Sequence, residues 1–226
     1  MTQHVELLKK VPLFENVDEA ELGRISQMLV EKSFGKDATI VAKDEPGDAM
    51  YIIARGRVKV VMPGDGGREV ILNILKAGDF FGEMALLEDS QRSADVISAE
   101  DTKVLLLKRD VFVGHVLQSP KIALNIMAEL SRRLRRADEL ISDLALLDVG
   151  ARIARIIFEL GARDGVDTEE GRVVRERPTQ QDIASMIGTS RETVSRMLSD
   201  WQRAGLIEMR GRELVLKHKF TMQAPR

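Results

Sequence analysis

The stretch SPKIALNIMAELSRRLRRADELISDLALL, residues 119–147, decides how this chain is organised. Ser119 followed by Pro120 predicts a helix start, because a serine side chain caps free amides and proline suits the first helical position. Met127, Leu130, Leu134, Ala137, Ile141 and Leu144 then recur at alternating steps of three and four, a seven-residue repeat. A seam two residues wide per repeat calls for a second helix, and a parallel copy of itself is the simplest partner. The alternative is the edge of a larger bundle, for which the rest of the chain offers no matching long helices. In this register Arg133 takes a g position and Asp138 the following e position, where opposite charges meet across a parallel dimer. Such a helix is about 40 Å long, enough to run past one small domain and deliver the chain to another.

The 226 residues, 44% hydrophobic and 31% charged, have the balance of a soluble globular protein and can fill one large or two small cores. The absence of cysteine excludes disulfides, thiolate metal sites, cysteine nucleophiles and cysteine-held iron–sulfur clusters. His4, His115 and His218 lie far apart in sequence, so neither a metal nor a haem site is expected. No apolar run reaches the length of a membrane span, and MTQHVELLKK lacks a signal peptide's apolar centre; a cytoplasmic location with no membrane partner is the expectation. Net charge is −2, but residues 178–226 hold 8 basic against 5 acidic side chains, making this the one basic segment and the expected seat of a polyanion.

Upstream of the long helix, an amphipathic helical stretch is expected around Glu19–Leu29. Short strands follow at 39–42, 49–54, 57–62, 69–75, 93–98 and 103–107, rich in valine, isoleucine and leucine. Turn signals separate them at Pro46-Gly47-Asp48, Gly56, Pro63-Gly64-Asp65-Gly66-Gly67 and Gly78-Asp79. This spacing predicts an antiparallel β-barrel or sandwich. A metal-binding cupin barrel would need clustered histidines, which are missing.

One segment breaks the strand rhythm: Phe80-Phe81-Gly82-Glu83-Met84-Ala85-Leu86, running on to Arg92-Ser93-Ala94. Gly82 lets backbone approach closely, and a helical turn from Glu83 presents the free amides of residues such as Met84 to an anion. Arg92 can close on a phosphate while Glu83 accepts hydrogen bonds from hydroxyls, as a nucleotide or sugar phosphate requires. The same two residues also suit a structural ion pair, and their chemistry alone leaves both readings open.

Downstream, Asp148 ends the long helix and can cap the next, Val149 to about Leu160 with Gly161 as its stop; a joint made by one capping residue is a plausible hinge. Residues 162–177 read as a surface loop with a short strand near 172–175. Thr179, with Asp182 three residues on, opens a helix that Gly188 ends. Ser190 starts a second, whose Val194, Met197, Leu198 and Trp201 face inward and whose Arg191, Glu192 and Arg196 face outward. Two short helices around a glycine turn make a helix-turn-helix or a generic helical hairpin, and the outward charges near the second helix's start favour the former. Residues 206–208 and 213–216 read as a wing hairpin. Thr179, Ser190 and the wing's basic residues are expected as phosphate contacts or caps.

Gly82-Glu83-x-Ala85-Leu86 with Arg92-Ser93-Ala94 resembles the phosphate-binding cassette of cyclic-nucleotide-binding domains. With the long helix and Gly188–Arg196, the whole chain resembles the cyclic-AMP-receptor branch of the CRP/FNR transcription regulators. The resemblance implies an α+β protein with three parts: a jelly-roll cyclic-nucleotide-binding barrel at 1–118, a dimerisation helix at 119–147 and a winged helix-turn-helix at 148–226. It implies ribose contact by Glu83, cyclic-phosphate contact by Arg92 and Ser93, and backbone amides after Gly82 completing the cradle. It further implies cyclic AMP as effector with cyclic GMP possible, double-stranded DNA, a second copy and RNA polymerase as partners, and palindromic half-sites close to TGTGA. Arg191 and Arg196 then read guanines and Glu192 a cytosine.

The resemblance lapses at Ala137-Asp138, where that branch places an adenine-reading Thr-Ser pair. Asp138 therefore has three readings: partner of Arg133 across the dimer, acceptor from a nucleobase, or both in turn. The departure also keeps open a regulator whose barrel needs no ligand, or one that answers a cyclic dinucleotide. An enzyme acting on a phosphorylated sugar or nucleotide is disfavoured, since Glu83 stands without a general base, nucleophile or metal set.

Overall fold

The computed structural model describes residues 2–64, 66 and 68–223, so Asp65 and Gly67 of the expected third turn lie outside the described residues. The chain divides into two compact units, Met1–Arg136 and Ala137–Arg226, and the boundary falls inside the long helix.

The first unit opens with helices α1 (Thr2–Leu8) and α2 (Glu19–Gln27). Strands β1 (Val30–Phe34), β2 (Thr39–Val41), β3 (Ala49–Arg55), β4 (Arg57–Pro63), β5 (Glu69–Lys76) and β6 (Phe80–Phe81) follow. Helix α3 (Glu83–Glu88), strands β7 (Asp95–Ser98) and β8 (Thr102–Lys108), helix α4 (Arg109–Gln118) and the start of helix α5 (Pro120–Leu146) complete it. The strands form two antiparallel sheets, ordered β1-β8-β3-β6 and β2-β7-β4-β5, in a jelly-roll arrangement whose sheets are not hydrogen-bonded into a closed ring.

Period-two alternation along β3 explains how the layers hold together. Met50 and Ile52 join Leu8, Phe14, Leu22, Ile25, Phe112, Ile122 and Ile126 in a core between the first sheet and the helices. Ala49, Tyr51 and Ile53 point the other way and pack with Val41, Val58, Leu75 and Val96 between the sheets. Buried on both faces, β3 reads as a continuous apolar run, whereas the edge strand β1 is exposed over four of its five residues and shows no pattern. Helix α4 was likewise not expected: RDVFVGHVLQ mixes β-branched residues with a glycine and buries only Phe112.

In the second unit α5 gives way to α6 (Val149–Asp164), β9 (Gly165–Thr168), β10 (Gly171–Val174), α7 (Gln180–Ile187), α8 (Arg191–Arg203), β11 (Ile207–Arg210), β12 (Glu213–Leu216) and α9 (His218–Gln223). Ile153, Ile156, Ile157 and Leu160 of α6 share one core with Ile183, Ile187, Val194, Leu198, Leu214 and Leu216. Two expectations are corrected here. Helix α6 runs through Gly161, which is buried because a Cβ there would lie 2.5 Å from Leu216 Cδ1; its glycine serves close packing, not termination. Residues 165–168, expected as loop, form β9, which completes a four-stranded sheet β11-β12-β10-β9 behind the wing hairpin.

Candidate ligand cradle and nucleic-acid interface

Strand β6 delivers the chain to Gly82 at φ +86, a left-handed conformation that caps α3 and that a side chain would strain. A Cβ at Gly82 would also stand 2.6 Å from Arg92 Nη1. That guanidinium is 4% exposed; Nη1 donates to Gly82 O at 2.9 Å and Nη2 to Ala49 O at 2.7 Å. It lies 5.7 Å from the ring centroid of Tyr51, which stacks on Phe81. The nearest carboxylate oxygen is Asp48 Oδ1, 3.7 Å away on a side chain open to water. Arg92 is thus a buried cation oriented by neutral carbonyls, with most of its charge uncompensated.

Glu83 is 2% exposed. Its Oε1 accepts from Arg133 Nη1 at 2.8 Å, while its Oε2 is buried with no partner. Burial pushes this carboxyl above the usual range, and the Arg133 charge opposes the shift. Glu83 and Arg92 therefore do not form the structural ion pair that their sequence left open: Glu83 pairs with Arg133. Arg133 also donates to Phe80 O at 2.9 Å and to Glu129 Oε1 at 3.1 Å, and sits 5.1 Å from the centroid of Phe80. This corrects its reading as an interhelical g-position charge, because the guanidinium is committed inside its own chain. A repeat register locates a position on a helix but not the direction a long side chain takes. Met84 and Ser93 stand exposed at the rim.

An orphaned buried acceptor, a buried cation paired only at 3.7 Å with an exposed Asp48 carboxylate, and a glycine whose missing Cβ leaves room beside that cation fit one ligand chemistry: an anionic group with a hydroxyl nearby. Among the described residues no His, Asp or Glu cluster could hold a metal ion.

On α5, Met127, Leu134, Ile141 and Leu144 are between 55% and 65% exposed, Ala137 is exposed, and Leu130 is half-buried. Large apolar side chains at that exposure along one stripe are an uncovered face. Asp138 is exposed and has no hydrogen-bond or ion-pair partner among the described residues. The helix ends at Leu146, and Asp148 caps α6 by accepting from Ala151 N at 2.8 Å.

In the second unit Thr179 and Asp182 form a reciprocal capping box on α7, with bonds of 3.0 and 3.1 Å. Gly188, at φ +67, turns the chain, and Ser190 caps α8 by accepting from Thr193 N at 3.2 Å. Arg191, Glu192, Ser195, Arg196 and Ser199 then line one open recess of about 420 Å³ along α8. Neither Arg191 nor Arg196 has an ion-pair or hydrogen-bond partner among the described residues, whereas Arg210 in the wing is bound to Glu208 at 2.7 Å and Glu170 at 2.6 Å. Glu192 is held below the usual carboxylate range by its own backbone amide and by Ser190. Ser195 was not anticipated as part of this face, although its place one turn after Arg191 would have given it. The recess offers two free guanidiniums, a carboxylate and hydroxyls on a helix of groove-reading width.

Residues 31–118 match the cyclic nucleotide-binding domain family, and residues 151–220 match the Crp-like helix-turn-helix domain family. The chain is similar to the CRP-like cAMP-activated global transcriptional regulator of Mycobacterium tuberculosis, 31% identical over 213 residues that make up 93% of this chain and 94% of that protein. It is similar to the cyclic AMP receptor protein of Thermus thermophilus at 32% identity, over 89% of this chain and 90% of the other. Among solved structures it resembles the c-di-GMP responsive global regulator CLP of Xanthomonas campestris, with a TM-score of 0.76 and 26% identity over 88% of this chain and 99% of that one. It also resembles the catabolite activator protein of Thermus thermophilus, at 0.55 and 30% over 94% and 96%.

Proposed function

The chain belongs to the CRP/FNR family of DNA-binding transcription regulators, with a cyclic nucleotide-binding domain and a Crp-like helix-turn-helix, and from that premise we propose a homodimer gated by a cyclic nucleotide. The observation that carries this reading is the buried, unpartnered Oε2 of Glu83, because an orphaned acceptor at that depth costs about 1–3 kcal/mol until a donor such as a ribose hydroxyl arrives. Arg92 and Ser93 take the cyclic phosphate, with the backbone from Gly82 to Met84 beside it. Cyclic AMP is the first candidate and cyclic GMP the second.

Two copies pair through Met127, Leu130, Leu134, Ala137, Ile141 and Leu144, and Asp148 is the hinge. Asp138 accepts from a nucleobase amino or imino group, which a guanine edge supplies twice. Arg191 and Arg196 read guanines and Glu192 a cytosine in TGTGA-like half-sites, while Thr179 and Ser190 contact phosphates; RNA polymerase is the further partner. A ligand that binds the DNA-competent arrangement about 100-fold better than the other contributes roughly 2.7 kcal/mol, enough to invert an equilibrium poised at one in ten.

The test measures affinity for a TGTGA palindrome with cyclic AMP, cyclic GMP, cyclic di-GMP or no nucleotide. Tightening by one of the mononucleotides is expected, and Asp138→Ala should change which one acts. Equal affinity in all four conditions would favour the ligand-independent alternative, for which the exposed Ala137-Asp138 pair and the Arg133 contact already made to Glu83 both speak. Tightening by cyclic di-GMP alone would instead move the effector to the dinucleotide class.

A further inference from the structure

Within the second unit the joint between α5 and α6 is bridged by one side chain. Arg155, one and a half turns into α6, donates from Nη1 to Asp143 Oδ1 at 2.8 Å and from Nε to Glu159 Oε1 at 3.2 Å, and its Nη2 lies 3.4 Å from Glu139 Oε2. Glu139 and Asp143 stand four residues apart on α5, and Arg155 and Glu159 stand four apart on α6, so the guanidinium joins matching faces of both helices. Asp143 is only 13% exposed and Arg155 35%, so this contact is partly shielded from salt. The covalent link beneath it is Leu147 and the capping Asp148, which leave the angle between the helices free to change through few backbone torsions.

What that angle controls follows from the packing on either side. Helix α6 is fixed to the reader core through Ile153, Ile156, Ile157 and Leu160, so its direction fixes that of α8. Helix α5 exposes the apolar stripe of Ala137, Ile141 and Leu144 that the proposed pairing buries. In a two-fold pair the α5–α6 angle therefore sets how far apart the two α8 helices lie. We propose that Arg155 is a positioning residue that determines half-site spacing without touching DNA. Removing it leaves Glu139, Asp143 and Glu159 facing one another without a counter-charge, and three carboxylates at such range drive the helices apart.

The proposal rests on the two-fold, DNA-reading arrangement above, and its test is chosen to separate the two. Affinity is measured for palindromes of optimal spacing and for ones lengthened or shortened by one base pair, a displacement of about 3.4 Å per step. The unaltered protein is expected to lose about tenfold or more per step, by the same order as a base mismatch, and Arg155→Ala about threefold or less. Arg155→Asp combined with Asp143→Arg restores the bridge with its charges exchanged and should restore the strict spacing. If Arg155→Ala fails to fold, Glu139→Gln with Asp143→Asn weakens the bridge from the α5 side, with the same expectation. Strict spacing in the unaltered protein that survives in every one of these variants overturns the inference alone. Loss of any palindrome preference in the unaltered protein overturns the dimeric reading, and this inference with it.

Discussion

Arg133 Nη1 lies 2.8 Å from Glu83 Oε1, which ties the long helix to the floor of the ligand cradle and leaves the second oxygen of the same carboxylate buried and unbonded. The pair is asymmetric, since Glu83 is 2% exposed and the Arg133 side chain 28%. Removing the arginine strands the more deeply buried charge. Arg133→Gln should destabilise the first unit by about 2–4 kcal/mol in denaturant titrations, and adding Glu83→Gln should recover part of that loss because no ion is then left buried. Arg133 also fixes the orientation of Glu83, so Arg133→Gln should weaken cyclic-nucleotide binding at least about tenfold, or roughly 1.4 kcal/mol. Unchanged binding would mean that the arginine only stabilises the fold.

On α8 the expected losses separate by chemistry. Arg191→Ala, Glu192→Ala and Arg196→Ala should each cost about 1–3 kcal/mol on the preferred palindrome and relax the preference at one base position apiece. Ser190→Ala removes the cap on Thr193 N, so it should lower reader stability by about 1 kcal/mol and reduce affinity without altering which sequence is preferred. A sequence-selection experiment on the four variants distinguishes readers from supports. A Ser190→Ala protein with altered base preference would move that residue into the reading set.

Two glycines make opposite predictions from similar crowding. At Gly82 a Cβ meets Arg92 Nη1 in a left-handed backbone, so Gly82→Ala should displace the guanidinium and impair ligand binding more than stability. At Gly161 the Cβ meets Leu216 Cδ1 at 2.5 Å in ordinary helical backbone, so Gly161→Ala should lower the second unit's stability by about 1–3 kcal/mol and leave ligand binding intact. Thermal melts and calorimetric titration of both variants give the comparison.

These glycines also mark where sequence reading holds and where it stops. Gly82 and Gly188 were legible because each carries a local conformational requirement that its neighbours announce. Gly161 is not legible, since its reason is a leucine 55 positions away, and the sequence by itself ends the helix there. Strands buried on both faces and helices with capping boxes declare themselves through composition. The exposed edge β1 and the weakly patterned α4 have no such signal, because what holds them is a neighbouring strand or a single buried Phe112. Within the cradle, residue types suggest an anionic ligand, which stays a proposal, and they do not reveal the pairing. That Glu83 bonds Arg133 depends on which rotamer a long side chain takes across 50 positions of sequence.

The wing carries the last prediction. Glu208 is held down at about 2, first by its hydrogen bond to Arg210 and then by Lys217. An acid whose folded value lies below its unfolded value of 4.5 adds stability that is complete above 4.5 and is lost as pH falls from there toward 2. The acid limb of the second unit's unfolding should therefore flatten in that window in Glu208→Gln, and added salt should reduce the difference because the group is exposed. Arg210 is meanwhile bound by Glu208 and Glu170, which withholds a wing cation from DNA. Neutralising Glu208 releases part of that charge. Glu208→Gln should then bind non-specific duplex more tightly at low salt, with its salt dependence steeper by about one phosphate contact. An unchanged slope would place Arg210 away from the phosphate backbone in the complex.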